Sequence, residues 1–337
     1  MLTDSFGRKL DYLRLSVTDR CNLRCVYCMP LEGVEWKPNE AMLSYGEILR
    51  LCRIMAELGI RKIKITGGEP LVRRGMASLI GNLKNIPGIE SVTLTSNGFL
   101  LGRFLDEAET VMPHSLPDGV NISLDALDPR RFERITRTKE MKPAEVFPHI
   151  DCLIEKQIPV KINCVPVRGF NEDEIVPLAG LARDRNISVR FIELMPIGSA
   201  SFFKPVTGTE TAAFLEKAYG SLKPIYGVFG SGPAVYYSLP GFTGKIGFIN
   251  PVSHGFCETC NRLRLTSEGI LKPCLSFSLG SDLRSLLRSG ASDNELANAI
   301  LGITWKKPRF HTLSDVYGAS QAEIEAQHLK RMFRIGG

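Results

Sequence analysis

The chain has 337 residues, of which 42 are basic and 36 acidic, giving a formal net charge of +6. Its hydrophobic fraction of 44% and charged fraction of 23% are typical of a globular protein with one large domain or two smaller ones. No apolar run approaches the roughly 18 residues of a membrane span, and residues 1–10 lack the apolar core of a secretory signal. The composition therefore predicts a cytoplasmic protein without a membrane partner. The small positive excess contains no long basic block, which argues against a nucleic-acid partner.

Six strand-like runs follow one another through the first two thirds of the chain. They span residues 12–18, 62–66, 91–95, 120–125, 160–167 and 188–194. Helix signals lie between most of them. The clearest is a capping box in which Ser44 caps a helix and Glu47 reaches back to it, with Gly59 suited to the C-terminal cap. Alternating strands and helices predict a parallel sheet with crossover helices.

The first five runs alternate apolar and polar residues, so each strand has one polar face. In the first, for example, Leu13 and Leu15 flank Arg14. Because a parallel sheet covered on both sides is normally apolar on both faces, this pattern predicts a barrel with a polar cavity inside. The sixth run does not fit, since Arg190 and Glu193 fall on opposite faces, and a bulge is the one explanation that the pattern offers.

The amino-acid composition of the chain changes near residue 220. Glycine, proline, serine and aromatic residues become frequent over residues 226–248, and residues 293–301 carry a short helical pattern. We predict two domains, comprising residues 1–220 and 221–337.

Nine cysteines in a chain without a secretory signal do not predict a disulfide framework. Three isolated ones lie among apolar residues and are predicted to be small buried hydrophobic side chains: Cys52, Cys152 and Cys164. Three others follow the first strand within eight residues: Cys21, Cys25 and Cys28. A structural zinc site needs four ligands. A [4Fe–4S] cube bound by three cysteines instead keeps one iron open for an outside ligand, and this is the favoured interpretation.

A second trio lies in the C-terminal part and consists of Cys257, Cys260 and Cys274. Two interpretations are open, because His254 could complete a zinc site, whereas without it a second cube would again have an open iron. Arg262 and Arg264 lie between these cysteines at strand spacing, so both guanidinium groups can point the same way. Two such groups beside an open iron suit an anionic ligand that also carries a Lewis-basic ring.

The first trio, with Tyr27 before its last cysteine, and the Gly67-Gly68-Glu69-Pro70 stretch resemble the two signatures of the radical S-adenosylmethionine superfamily. Only glycine permits a ligand to approach the backbone closely without a clash, which is the physical sense of the glycine pair. The resemblance implies that S-adenosylmethionine binds the open iron. An electron from the cluster then breaks a carbon–sulfur bond and yields a 5′-deoxyadenosyl radical.

Further motifs resemble the GTP 3′,8-cyclase family of molybdenum cofactor biosynthesis. They lie at residues 14–22, 64–70, 95–98, 121–125, 190–196, in the second trio and at 336–337. The resemblance implies an α/β fold: an incomplete TIM-type barrel of about six βα units, with a C-terminal Fe–S domain closing the open side. It implies two [4Fe–4S] clusters, S-adenosyl-L-methionine and conversion of GTP to (8S)-3′,8-cyclo-7,8-dihydroguanosine 5′-triphosphate. The partners implied are an external one-electron reductant, a downstream cyclic pyranopterin monophosphate synthase and a second copy in a homodimer.

The resemblance also assigns roles to residues of this chain. The two cysteine trios hold the clusters, and the cofactor contacts are Tyr27, Gly68, Ser123 and Met195. The GTP contacts are Arg14, Lys64, Thr95, Lys161, Arg262, Leu263 and Arg264, with Arg190 a weaker candidate. Arg262 and Arg264 are also assigned to catalysis, together with the terminal Gly336 and Gly337, which in the family are thought to insert into the cavity.

The strand pattern supports a triphosphate site independently of the resemblance. Arg14, Lys64 and Lys161 fall on the polar faces of three strands, where enclosed cations are costly without an anion. Internal salt bridges to Glu69 or Asp125 are the alternative. Two other functions stay open: a radical enzyme acting on a peptide or RNA, and an electron-transfer or zinc-binding module without catalysis.

Overall fold

Twelve strands form one sheet in the computed structural model, which describes residues 1–32, 34–111, 114–227 and 229–313. The strands are β1 (Tyr12–Ser16), β2 (Lys62–Thr66), β3 (Ser91–Ser96), β4 (Val120–Ser123), β5 (Val160–Cys164), β6 (Ser188–Ile192), β7 (Lys223–Ile225), β8 (Val235–Ser238), β9 (Lys245–Ile249), β10 (Arg262–Leu265), β11 (Ile270–Lys272) and β12 (Ser281–Asp282). The helices in the same ranges are α1 (Tyr45–Leu58), α2 (Met76–Lys84), α3 (Leu101–Val111), α4 (Pro129–Thr136), α5 (Phe147–Glu155), α6 (Ile175–Gly180), α7 (Gly208–Tyr219), α8 (Leu283–Arg288) and α9 (Asp293–Trp305).

The sheet is an open α/β barrel. Strands β1 to β6 lie side by side in chain order, every pair is parallel, and a helix lies between each strand and the next. Two C-terminal strands continue the parallel part, β10 beside β1 and β9 beside β6. Antiparallel strands then end the sheet on both sides, so β12 and β7 are its edges. The predicted partial barrel of six βα units is confirmed, while the pattern gave no sign of β9 and β10 as members of the same sheet.

The predicted bulge in the sixth strand is wrong. The register between β6 and β9 runs without interruption from Ser188 to Ile192, with Arg190 opposite Gly247. Because β6 ends at Ile192, Glu193 lies beyond the strand and its parity carries no meaning. Its side chain instead accepts hydrogen bonds from the backbone N–H groups of Val252 and Ser253, at 2.8 and 2.9 Å.

The predicted start of the first helix is confirmed in detail. Ser44 Oγ accepts from the Glu47 backbone N–H, and the Glu47 carboxylate accepts from the Ser44 N–H. Gly59 ends the helix with φ 124°, a value that residues with a Cβ rarely adopt. Helix α9 extends four residues past the predicted end of its pattern, to Trp305.

The core lies between the apolar faces of the strands and the surrounding helices. Leu13 and Leu15 are fully buried in it, as are two of the isolated cysteines, Cys52 and Cys164. Cys152 packs against the same core but is only half-buried. Within the described ranges, no helix combines the length and apolarity needed to cross a bilayer.

Candidate active site

A cavity of about 330 Å³ opens on the polar side of the sheet, and both cysteine trios line it. The six thiols come from opposite ends of the chain: Cys21, Cys25 and Cys28 follow β1, whereas Cys257 and Cys260 precede β10 and Cys274 follows β11. All six are partly buried thiols outside any disulfide in the described residues. The polar faces of the parallel strands form the wall between the trios. The structure therefore brings the two predicted cluster sites to one enclosed space.

The first trio lies on a tightly turned loop. The backbone N–H groups of Cys28 and Met29 both donate to the Cys25 carbonyl, at 2.9 and 3.0 Å. Burial, helped by nearby Glu69, raises the pKa of the Cys21 thiol to about 12. A buried thiolate needs a compensating positive charge, which ligated iron supplies. Three partly buried thiols on one short loop, facing a cavity, therefore fit a three-cysteine iron–sulfur cluster.

The Gly67-Gly68 pair is required for a reason that the sequence did not show. A Cβ on Gly67 would lie 2.7 Å from the Thr18 carbonyl oxygen, and one on Gly68 would overlap the Arg20 carbonyl. The backbone of Gly68 also donates to Thr18, and that of Glu69 donates to Arg20. The glycines thus let the β2 loop pack directly against the residues that precede the first trio. Gly68 in addition lines the cavity.

Two acidic side chains of the cavity wall, Glu69 and Asp125, accept hydrogen bonds from backbone N–H and hydroxyl groups rather than from its cations. Glu69 accepts from the backbone N–H of Asn97 and Leu71 and from Ser96 Oγ, at 2.7, 3.0 and 2.9 Å, and burial raises its pKa to about 7. In the described part of the chain, neither Glu69 nor Asp125 forms an ion pair with Lys or Arg. The internal salt bridges considered from the sequence are therefore not what this region forms.

Asp125 instead holds Tyr27. The tyrosine hydroxyl donates to Asp125 Oδ2 at 2.6 Å, and the Val165 N–H donates to the other carboxylate oxygen at 2.8 Å. Burial raises the pKa of Asp125 to about 6, although both hydrogen bonds oppose the rise. This contact joins the first cysteine loop to β4 and β5. Sequence analysis gave Asp125 no role in positioning Tyr27.

Cations of three neighbouring strands form a row in the cavity. Arg14 lies opposite Arg264 of β10 on one side and opposite Lys64 of β2 on the other. Burial, together with Arg262 and Arg190, lowers the pKa of Arg14 to about 10, although Tyr12 opposes the change. Burial and the surrounding cations also lower the pKa of Lys64. Such a concentration of enclosed positive charge favours a multiply charged anion.

Arg190 is oriented by two amide side chains. Its Nε donates to Asn163 Oδ1 at 2.9 Å and its Nη2 donates to Asn121 Oδ1 at 3.0 Å, while Asn121 donates to Thr95 Oγ1 at 3.2 Å. These partners fix the guanidinium group but, being neutral, leave its charge available to a ligand. The two asparagines belong to the polar strand faces, yet the pattern alone did not reveal their partner.

The second trio lies beside cations. Arg262 Nη2 is 3.6 Å from Cys260 Sγ, and its guanidinium group stacks 4.7 Å from the centre of the Phe256 ring. Burial raises the pKa of Cys260, but Arg262 and Lys307 more than offset this and lower it to about 7. The thiolate form is thus more accessible at this position than in an ordinary cysteine.

The histidines near this trio make other contacts in the described residues. His254 is exposed, and its Nδ1 lies 3.2 Å from Ser253 Oγ. His311 does line the cavity, but its Nε2 contacts the Pro251 carbonyl at 2.5 Å and its Nδ1 accepts from the Leu313 N–H. In residues 1–313, apart from the gaps at 33, 112–113 and 228, no three His, Cys, Asp or Glu side chains converge on a site for one ion.

Most of the predicted contact residues meet at this cavity. Those that line it, besides the cysteines, are Tyr27, Gly68, Ser123, Met195, Arg14, Lys64, Thr95, Arg190, Arg262 and Arg264. Two do not: the Lys161 ammonium contacts the Phe229 carbonyl, and Leu263 is buried in the apolar core on the opposite face of β10. Gly336 and Gly337 lie outside the described residues.

Comparison with known proteins identifies the family. Residues 15–182 match the family model of the Radical SAM superfamily, and residues 187–313 match that of Molybdenum Cofactor Synthesis C. A GTP 3′,8-cyclase of Clostridium perfringens is 42% identical over 336 residues, which is 100% of both chains. One of Heliobacterium modesticaldum is 45% identical over 318 residues, covering 93% of this chain and 95% of the relative. The chain belongs to the GTP 3′,8-cyclase family.

Solved structures show the same fold. Two crystal structures of Streptococcus suis SuiB, one bound to the precursor peptide SuiA and one to S-adenosylmethionine, align with TM-scores of 0.55 and 0.52. They are 14% and 13% identical and cover 93% and 92% of this chain and 67% and 65% of the SuiB chain. A radical SAM domain implies an iron–sulfur cluster and S-adenosylmethionine as cofactors, and the cavity offers residues that fit both.

Proposed function

We propose that the chain cyclises GTP to (8S)-3′,8-cyclo-7,8-dihydroguanosine 5′-triphosphate, an early step of molybdenum cofactor biosynthesis. The observation that carries the proposal is the shared cavity, in which two three-cysteine sites are joined by a wall of cations. Three ligands per cluster leave one position for S-adenosylmethionine and one for the guanine ring. A single enclosed space would hold both reactants close together in a fixed orientation, so that the reaction does not depend on a bimolecular encounter.

The first site would hold the cluster through Cys21, Cys25 and Cys28 and the cofactor through Tyr27, Gly68, Ser123 and Met195. When bound, this pair supplies the 5′-deoxyadenosyl radical that removes hydrogen from C3′ of the GTP ribose before C3′ joins C8. The residues of the chain position the groups that bind this pair. Asp125 fixes the Tyr27 ring, and the glycine pair holds the cysteine loop against β2.

The GTP site comprises the cation row and its neighbours. Arg14, Lys64 and Arg264 would bind the triphosphate, whose roughly four negative charges relieve the repulsion among them. Each charge-assisted contact contributes on the order of 1.5–3 kcal/mol. Arg262 would contact the substrate beside Cys260, with Thr95 and Arg190 along the opposite strands. Lys161 joins them if its ammonium leaves the Phe229 carbonyl.

Further parts of this proposal concern the C-terminus, catalysis and the partners of the chain. Gly336 and Gly337 would enter the site from the C-terminus, where a side chain would block close approach. Arg262 and Arg264 would act with them in catalysis. The proposal also includes two partners, an external one-electron reductant and a downstream cyclic pyranopterin monophosphate synthase. It further includes a homodimer, a cytoplasmic location and the division into two domains at residue 220.

Anaerobic reconstitution and product analysis test the proposal. The reconstituted chain is incubated with a reductant, S-adenosylmethionine and one of GTP, ATP, CTP or UTP. We expect about eight irons per chain, and 5′-deoxyadenosine together with the cyclised nucleotide only with GTP. Formation of 5′-deoxyadenosine with a peptide or RNA and not with GTP would overturn the substrate. Four irons and one zinc would overturn the second open site and favour a zinc-binding role for the second trio.

A further inference from the structure

Lys307 is a buried lysine at the second trio to which the proposed reaction assigns no role. It lies two residues past the end of α9 and is only 3% exposed. Its ammonium donates to the Arg262 carbonyl at 2.8 Å and to the Pro273 carbonyl at 2.5 Å. Arg262 lies two residues after Cys260, and Pro273 directly precedes Cys274. One ammonium group therefore bridges the two chain segments that present these cysteines.

The charge of Lys307 has no carboxylate partner in the part of the chain that the structure describes. Lysine is almost never fully buried unless it is paired, because an enclosed ammonium loses its hydration. The neutral carbonyls satisfy two of its donors but not its charge. The acidic groups nearest to it electrostatically are the thiols of Cys260 and Cys274, which raise its pKa against the larger lowering effect of burial. Its counter-charge is therefore the trio itself.

We infer that Lys307 is a positioning residue for the second cluster, which holds the Cys260 and Cys274 segments at a fixed separation and offsets the negative charge of the thiolate-bound cluster. This inference rests on the proposed cluster at the second trio. Net charge and hydrogen bonding around a cluster are among the factors that set its reduction potential. A nearby positive charge stabilises the reduced, more negative state and raises the potential.

Two background variants separate the clusters. In the first, Cys21, Cys25 and Cys28 are replaced by Ala, so that only the second trio can bind iron. In the second, Cys257, Cys260 and Cys274 are replaced instead. Lys307→Met is introduced into each, because methionine has a similar length without charge. Lys306→Met is the matched control, since Lys306 is the adjacent residue but is exposed. Iron per chain and the midpoint potential, from a redox titration followed by electron paramagnetic resonance, are measured.

In the background with only the second trio, we expect Lys307→Met to lower the ratio of reduced to oxidised cluster at least tenfold at a given potential. For one electron this corresponds to about 59 mV. Complete loss of iron from this background alone also supports the inference, since the bridge is then needed for assembly. Lys306→Met is expected to change neither quantity, and Lys307→Met is expected to leave about four irons on the first trio.

Two results would overturn the inference. One is iron content and potential for Lys307→Met equal to those of Lys306→Met. The other is loss of iron from both backgrounds, which would show that Lys307 supports the fold as a whole. Failure of the proposed second cluster is distinguishable, because it shows as absent iron in the second-trio background before Lys307 is changed.

Discussion

Replacing Lys64 by Met should weaken GTP binding and at the same time stabilise the substrate-free protein. Lys64 lies in the cation row opposite Arg14, where burial and four cations lower its pKa. Loss of one charge-assisted contact to the triphosphate costs about 1.5–3 kcal/mol, which raises Kd for GTP roughly 10- to 100-fold. Without GTP, the same change removes an enclosed and repelled charge.

The sign of the stability effect follows from proton linkage. A lysine whose pKa is lower in the folded state binds its proton more weakly there than in the unfolded chain, so protonation at neutral pH favours unfolding. The penalty is present below the folded pKa of Lys64 and disappears as the pH rises through the ordinary lysine range. Lys64→Met should therefore raise the free energy of unfolding near pH 7 and converge with the wild type at high pH.

Lys62→Met is the matched control, because Lys62 lies on the same strand face but pairs with Asp11 at 3.0 Å, outside the cavity. That half-exposed pair is worth at most about 1 kcal/mol, and its loss should leave GTP affinity unchanged. Binding is measured by anaerobic titration calorimetry on reconstituted protein, and stability by denaturant unfolding of the metal-free chain. Equal GTP affinity of Lys64→Met and wild type would refute the triphosphate site. Lower stability of Lys64→Met near pH 7 would refute the repulsion argument.

Three further changes test other parts of the site. Gly68→Ala places a Cβ against the Arg20 carbonyl and should prevent binding of the first cluster, which lowers the iron content by about four per chain. Gly302→Ala in α9 has open space around the new Cβ and should keep all of the iron. Equal iron contents of the two variants would contradict the packing argument. Asp125→Asn should flatten the pH dependence of the free energy of unfolding. Burial raises the folded pKa of Asp125 to about 6, so this acid stabilises the fold at low pH and loses that contribution, on the order of 3 kcal/mol, as the pH rises from about 4 to 6. Parallel curves of stability against pH for wild type and variant would count against a buried carboxyl. Asn163→Ala removes one of the two hydrogen bonds that orient the Arg190 guanidinium group, worth about 0.5–1.5 kcal/mol, and should raise KM for GTP several-fold. Asn82→Ala on the exposed side of α2 should leave KM unchanged. An unchanged KM in both variants would remove Arg190 from the GTP site.

The barrel could be predicted from the sequence because its information is local. Strand alternation, the Ser44–Glu47 capping box and Gly59 each determine the structure of a few neighbouring residues, and all three predictions are confirmed. The polar strand faces do line the cavity, as the placement of Arg14, Lys64 and Thr95 shows. The family resemblance rested on short motifs and is confirmed by the full-length relatives.

The features that could not be predicted depend on contacts between distant residues. Nothing local shows that Lys307 meets the carbonyls of Arg262 and Pro273, or that Asp125 meets Tyr27, because these partners are 34 to 98 residues apart. The glycine pair illustrates the same limit. The sequence predicted that a ligand approaches the backbone of these glycines closely. In the structure, residues 18–20 of the chain itself also approach them closely. The apparent bulge arose because the end of β6 was placed two residues too late.

The route of the chain between β9 and β10 makes the two cluster sites unequal in origin. β9 lies at one end of the parallel strands and β10 at the other, so residues 250–261, which carry Cys257 and Cys260, connect the two sides of the barrel. The loop with Cys21, Cys25 and Cys28 follows β1 and packs against the loop after β2, and Asp125 holds its Tyr27. All of these contacts lie in the first 136 residues. The second trio instead depends on a connection that starts beside β6 and ends beside β1. A change that displaces either side of the barrel would therefore alter the spacing of the second trio, whereas the first trio is tied to one side.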